Sequence, residues 1–161
     1  MKILLLIRHA QAEKGKPGQS DAERRLTDKG KSDAEYIARQ LSRLGLIPVR
    51  ILCSSSARTL KTARIMAREW DLDSGSIQVC EPLYEGDFDT YMNFICTLED
   101  REAIVALVGH NPTMAWLARH FGYTSDEGSF PTCATAVVKV DSDTWTSFSR
   151  AGNVLEKVLI P

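Results

Sequence analysis

Apolar residues follow two rhythms along the chain. Ile3 to Ile7 and Ala103 to Val108 are unbroken apolar runs, the pattern of strands buried on both faces. Ala34, Ile37, Ala38, Leu41 and Leu44 recur at helical spacing. Thr27 precedes them as an N-cap, Asp28 complements the helix dipole, and Gly45 with Pro48 ends the helix. Leu60, Ala63, Met66, Ala67 and Trp70 form a second helical stripe, and Tyr91, Phe94, Ile95 and Leu98 mark a third. A fourth helix follows Gly109-His110, with Asn111 as N-cap, Pro112 in the first helical position and its end at Phe121-Gly122. Val49–Cys53 and Ile77–Cys80 read as short strands, and Ala134–Val140 and Trp145–Ser149 as strands joined across residues 141–144. Val154–Ile160 fits an edge strand or a packed tail. Gly15 to Asp21, with Gly15, Pro17 and Gly18, is a loop.

Strands that alternate with helices predict an α/β fold. The architecture is a three-layer sandwich, with a central, mostly parallel sheet and helices on both faces. In such sheets ligands sit beyond the carboxyl ends of the strands.

Composition narrows the class. The 161 residues fit one domain, and 43% hydrophobic with 25% charged residues is the balance of a globular protein. Twenty Lys and Arg against 21 Asp and Glu give a net charge of −1, so no global basic field attracts nucleic acid. Cys53, Cys80, Cys96 and Cys133 form no C-x-x-C pair and read as reduced thiols. The first apolar run is broken at once by Arg8-His9, too short for a signal peptide or a membrane span. A cytoplasmic protein is expected.

Polar residues then gather at three strand ends: Arg8-His9, Ser54-Ser55-Ser56-Ala57-Arg58 and Gly109-His110-Asn111. If these strands are parallel neighbours, one crevice receives two histidines and two arginines. Helix N-termini near Arg58 and Pro112 add N–H donors and partial positive charge. Such a pocket suits a phosphoryl group, whose oxygens match the planar arginine fork. Each junction alone reads more readily as a solvated turn; their convergence carries the functional reading. His120, at a helix end, reads as a cap.

These residues resemble the histidine phosphatase superfamily. Its Arg-His-Gly opening is matched by Arg8-His9-Ala10, with alanine in place of glycine. Its Ser-x-x-x-Arg-x-x-x-Thr signature is matched by Ser54, Arg58 and Thr62, and its second histidine by His110. The resemblance runs from residue 2 to about residue 121 and is most similar to the SixA-type phosphohistidine phosphatases. Asp21 to Gly30 resembles their Arg-Pro-Leu-Thr-x-x-Gly segment, with Arg24 as the family arginine and Arg25 in place of proline. The resemblance implies a phosphoglycerate-mutase-like fold and a single histidine phosphatase domain over residues 1–161. It also implies that His9 attacks phosphorus to form a phosphohistidine intermediate, while Arg8, Arg58 and His110 hold the oxygens. Arg24 joins them as a substrate-binding residue. Glu85, in Leu83-Tyr84-Glu85, matches a proton donor, with Asp87 in reserve. No metal or cofactor is expected, because the three histidines lack ligand spacing.

The implied partner is a phosphohistidine-bearing protein; the alternative is a small phosphomonoester, and a third reading is a non-catalytic phosphate-binding module. An ordinary imidazole nucleophile predicts a rate falling below about pH 6. Three other features invite rival readings. Cys53 to Arg58 approaches a cysteine-phosphatase loop, but four intervening residues and no glycine spoil the cradle. Asp71-Leu72-Asp73 follows a helix and reads as a polar turn rather than an aspartate pair. Tyr123–Thr135, with Phe130 and Pro131, is either a partner-docking surface or a cap on the core.

Overall fold

The computed structural model describes residues 1–125, 128–150 and 152–161. Its core is built on β1 (Lys2–Arg8), and the apolar run explains why. Successive side chains of a strand point to opposite faces. Leu4 and Leu6 therefore enter one hydrophobic core while Leu5 and Ile7 enter another on the far face. The strand β4 (Ile104–Gly109) alternates in the same way, Val105 and Leu107 against Ala106 and Val108.

Helices cover both faces. On one side lie α1 (Asp28–Arg43) and α2 (Ala57–Glu69), burying Ile37, Leu41, Ala63 and Met66. On the other lie α3 (Phe88–Cys96) and α4 (Thr113–His120), burying Tyr91, Ile95, Met114 and Leu117. Thr27 caps α1 as expected, its hydroxyl accepting from the Gly30 amide at 3.0 Å. Gly45 ends the helix region at φ +71°, a conformation that favours glycine.

The remaining strands are β2 (Arg50–Cys53), β3 (Ile77–Val79), β5 (Thr135–Val140) and β6 (Val154–Leu159). The six form one sheet in the order β3-β2-β4-β1-β5-β6. The pairs β3-β2, β2-β4 and β4-β1 are parallel, whereas β5 and β6 add antiparallel. This is the mostly parallel three-layer architecture expected. The order also makes β2, β4 and β1 consecutive neighbours, so their carboxyl ends open on one crevice. No described helix is long and apolar enough to cross a membrane.

Two expectations are corrected, and two open alternatives are resolved. Trp145–Ser149 is not a strand; the chain turns and enters a short 3-10 helix at Phe148–Arg150. Trp145 and Phe148 lie three apart and both enter the same core, which strand alternation forbids. The Trp145 amide donates to Asp100 Oδ1 and its indole to the Glu102 carbonyl, so neither sheet edge claims it. Asn111 does not cap α4: the helix begins at Thr113 with Pro112 at the N-cap, and the Asn111 amide donates to the Phe130 carbonyl. Within Tyr123–Thr135, Phe130 is fully buried against Tyr123, which makes it a core cap. Residues 126 and 127 of that segment lie outside the described residues. The open choice for Val154–Ile160 resolves to an edge strand paired with β5.

Candidate active site

His9 leaves the end of β1 and is buried, 8% exposed. Its Nδ1 lies 2.8 Å from the Ala10 carbonyl. A carbonyl only accepts, so Nδ1 carries the ring proton and donates it. Nε2 keeps its lone pair and faces the Arg58 Nε–H at 3.3 Å. The strand-to-loop path is fixed by neighbours: the His9 amide donates to Gly109 O, and the Ala10 amide donates to Thr62 Oγ1 at 3.1 Å. Thr62 in turn donates to the Arg58 carbonyl at 2.7 Å. The spacing from Arg58 to Thr62 is thus one helical turn that ties α2 to the loop after His9.

His110 follows β4, and its ring centroid lies 5.3 Å from that of His9. Arg58 Nη2 approaches its Nδ1 at 3.3 Å, and its Nε2 lies 2.5 Å from Ser54 Oγ. A guanidinium has no acceptor, so Nδ1 is the accepting nitrogen and Nε2 carries the proton. Ser54 accepts from it and passes its own proton toward Thr59 Oγ1 at 2.8 Å. Gly109 is required at this turn, because a Cβ there would sit 2.6 Å from the Tyr91 hydroxyl and 2.8 Å from Met114 Sδ.

Burial is the main force on both imidazoles. It lowers His9, with help from His110, Arg58 and Arg8, to about 3. His110 is lowered to about 4 by burial, then by Arg58 and Arg8, against the opposing pull of Asp21. Both rings are therefore neutral at neutral pH. Arg8 lies close enough to act on both; its Nη1 donates to the Phe130 carbonyl at 2.8 Å, while its Nε is buried without a partner. An unpaired buried donor costs free energy, so this group is poised to take an anion.

The structure thus brings together Arg8, His9, Arg58 and His110. Glu85 lines a cleft of about 300 Å³ with His110, Tyr84 and Thr113, and is exposed there. Asp87, the reserve donor, is committed elsewhere: its Oδ1 caps α3 on the Thr90 amide at 2.9 Å and hydroxyl at 2.7 Å. Arg24 is one step removed, bonded to Asp21 Oδ1 at 2.9 Å and to the Glu13 carbonyl. Cys53 is fully buried, and burial pushes its thiol up to about 12. Asp71 and Asp73 form a turn, where Asp73 accepts from the Ser76 amide. His120 ends α4 against Phe88 and Phe121. Among the described residues, no three His, Cys, Asp or Glu side chains cluster as metal ligands.

Sequence reasoning missed Asp21 and Tyr84. Asp21 Oδ2 accepts from Arg58 Nη2 and from the Tyr84 hydroxyl, each at 2.7 Å, and the Asp21 carbonyl accepts from Arg58 Nη1 at 2.7 Å. The hydrogen bond from Tyr84, then those from Arg24 and Arg58, holds the Asp21 carboxyl far below the usual carboxylate range. Its position three residues before Arg24, in a loop that otherwise looks solvated, was the available signal.

The family model described as histidine phosphatase superfamily, branch 1, matches residues 4–94. The chain belongs to the histidine phosphatase superfamily. Within the superfamily it is similar to a crystal structure described as a candidate phosphohistidine phosphatase SixA from Agrobacterium tumefaciens. The two are 29% identical, with a TM-score of 0.82 over 99% of this chain and 98% of that one. It shares its fold with the protein histidine phosphatase SixA complexed with tungstate, at 24% identity and a TM-score of 0.81 over 98% and 96% of the two chains. Among curated relatives, the mitochondrial serine/threonine-protein phosphatase Pgam5 of Drosophila grimshawi is 25% identical over 97% of this chain. The chain spans 62% of that relative's length. His9 falls inside the matched residues and His110 beyond them.

Proposed function

We propose that this chain is a phosphatase that takes a phosphoryl group from phosphohistidine on a protein and passes it to water through His9. The observation that carries the reading is a buried, neutral imidazole whose free nitrogen faces a guanidinium, with a second imidazole and a second guanidinium beside it. Every group the reaction uses is a side chain of this chain, and residues 1–161 act as one catalytic unit.

In the first step the Nε2 lone pair of His9 forms a bond to phosphorus as the bond to the substrate nitrogen breaks. The electron pair of that bond stays on the leaving imidazole, and Glu85 supplies its proton from the rim. Arg8 and Arg58 hold the phosphoryl oxygens and the charge of the transition state; His110 is kept in place beside them by Ser54. In the second step water attacks phosphorus, its proton goes to the Glu85 carboxylate, and the electron pair of the N–P bond returns to His9 Nε2. Splitting the displacement in two is the benefit of a covalent intermediate. Because burial lowers the His9 imidazole, the nucleophile stays neutral below pH 6, and the rate loss expected of an ordinary histidine moves to lower pH.

The similarity to a SixA structure and to Pgam5 supports a protein-borne substrate, since both names are those of protein phosphatases. A phosphate-release panel tests this. Wild type and His9→Ala are compared on a histidine-phosphorylated protein, a serine-phosphorylated protein, sugar phosphates and phosphoglycerates. Fastest release from phosphohistidine, abolished in His9→Ala, is the expected result. Preference for a small ester with His9 still required moves the substrate to metabolites. Release that survives His9→Ala overturns the mechanism.

A further inference from the structure

Asp21 places a carboxylate on the cation that is meant for a phosphate. Two of the three nitrogens of the Arg58 guanidinium, Nη1 and Nη2, are engaged by Asp21 through its carbonyl and Oδ2. The Arg58 side chain is 7% exposed and that of Asp21 53%, so the carboxylate lies on the solvent side of the guanidinium. Asp21 also reaches the opposite wall, since Tyr84 lines the cleft with Glu85 and His110. A phosphoryl group held between Arg8 and Arg58 is walled on its inner side by the sheet. In the proposed complex its leaving group points to solvent, on the side of Arg58 where Asp21 lies.

Two consequences follow for what projects. Arg24 and Tyr84, donors that could receive a substrate carboxylate at this mouth, are both bonded to Asp21. A carboxylate on the substrate therefore meets a like charge and donors already engaged. An imidazole leaving group, neutral once Glu85 has protonated it, meets no such repulsion. Asp21 stays ionised, so it is not the proton donor.

We infer that Asp21 sets the leaving-group preference of the site, disfavouring phosphoryl donors that carry a carboxylate near the phosphate and favouring neutral or cationic leaving groups. This rests on the proposed phosphatase reading and names the substrate class within it. Asp21 acts through charge at the rim and does not touch phosphorus.

The test uses phosphoramidate hydrolysis at pH 7, inhibited by 3-phosphoglycerate or by glycerol 3-phosphate, esters that differ by one carboxylate. In wild type, glycerol 3-phosphate inhibits at the lower concentration. In Asp21→Asn the ratio of the two inhibition constants shifts about tenfold toward 3-phosphoglycerate, which corresponds to about 1.4 kcal/mol. A shift below threefold overturns the inference. Tyr84→Phe loosens the same contact and leaves the charge, so both esters change alike; a ratio that moves as far there as in Asp21→Asn overturns the charge argument. His9→Ala separates the two levels. Hydrolysis abolished in His9→Ala with an unmoved ratio in Asp21→Asn removes the inference alone, whereas hydrolysis that survives His9→Ala removes both.

Discussion

Lowering the pH from 7 to 5 should destabilise this fold through two particular side chains. An ordinary histidine titrates at 6.5, whereas burial lowers His9 to about 3 and His110 to about 4. At pH 5 both are protonated in the unfolded chain and neutral in the fold. The unfolded state binds more protons across this window, so stability rises with pH and is lost as pH falls below 6.5 toward the folded values. Integrated between pH 7 and 5, each group contributes about 2 kcal/mol, or about 4 kcal/mol for the pair. That is a large share of the roughly 5–15 kcal/mol that holds a typical domain together. Urea denaturation at both pH values, on wild type, His9→Gln and His110→Gln, reads the effect directly. Carboxylates contribute alike to all three proteins and cancel in the comparison. Each glutamine variant should lose about half of the pH-dependence. If both variants keep the wild-type difference between pH 7 and 5, the imidazoles are not held neutral by burial and the electrostatic account of the site fails.

Other perturbations probe the supports of the site. Gly109→Ala forces a methyl against Tyr91 and Met114 and should cost about 1–3 kcal/mol by urea melt, with the Tyr91 bond to Leu83 weakened. Ser54→Ala leaves the His110 Nε2–H buried without its acceptor; about 1–3 kcal/mol of stability should go, and kcat for phosphate release should fall at least about tenfold. Cys53→Ala should keep phosphate release within about twofold of wild type, because the thiol is buried and stays protonated. A large loss there would reopen the cysteine-nucleophile reading.

The parts of the fold legible in the sequence were those where one local rule dominated. The unbroken runs at Ile3–Ile7 and Ala103–Val108 are too short for buried helices and read as two-faced strands, and Thr27 and Gly45 bracket α1 by capping chemistry. Arg8, His9, Arg58 and His110 were findable because they sit at strand ends, where sheet topology brings them together. Trp145–Ser149 does not extend as a strand because Trp145 and Phe148, three residues apart, bury into the same core. Asn111 failed because the helix starts two residues later, at Thr113: its Nδ2 donates to the Phe130 carbonyl, and its Oδ1, the atom a cap would use, accepts from no helix amide. Asp21 was hidden by its loop: its spacing from Arg24 hints at a local ion pair, and nothing local shows that it also reaches a buried arginine 37 residues away.

The order β2-β4-β1 has a consequence for the life of the chain before it is whole. β1 pairs with β4 from Ile3 on Ile104 to Arg8 on Gly109, across nearly two-thirds of the sequence. Contacts of such range form late and slowly in folding. His9 and Arg58 leave the ribosome early, yet they cannot be set against His110 until β4 has emerged and inserted between β1 and β2. A nascent or truncated chain ending before His110 carries most of the family's signature and no assembled site. Such a chain lacks the second imidazole beside His9, so under the proposed mechanism its phosphoryl chemistry waits for β4.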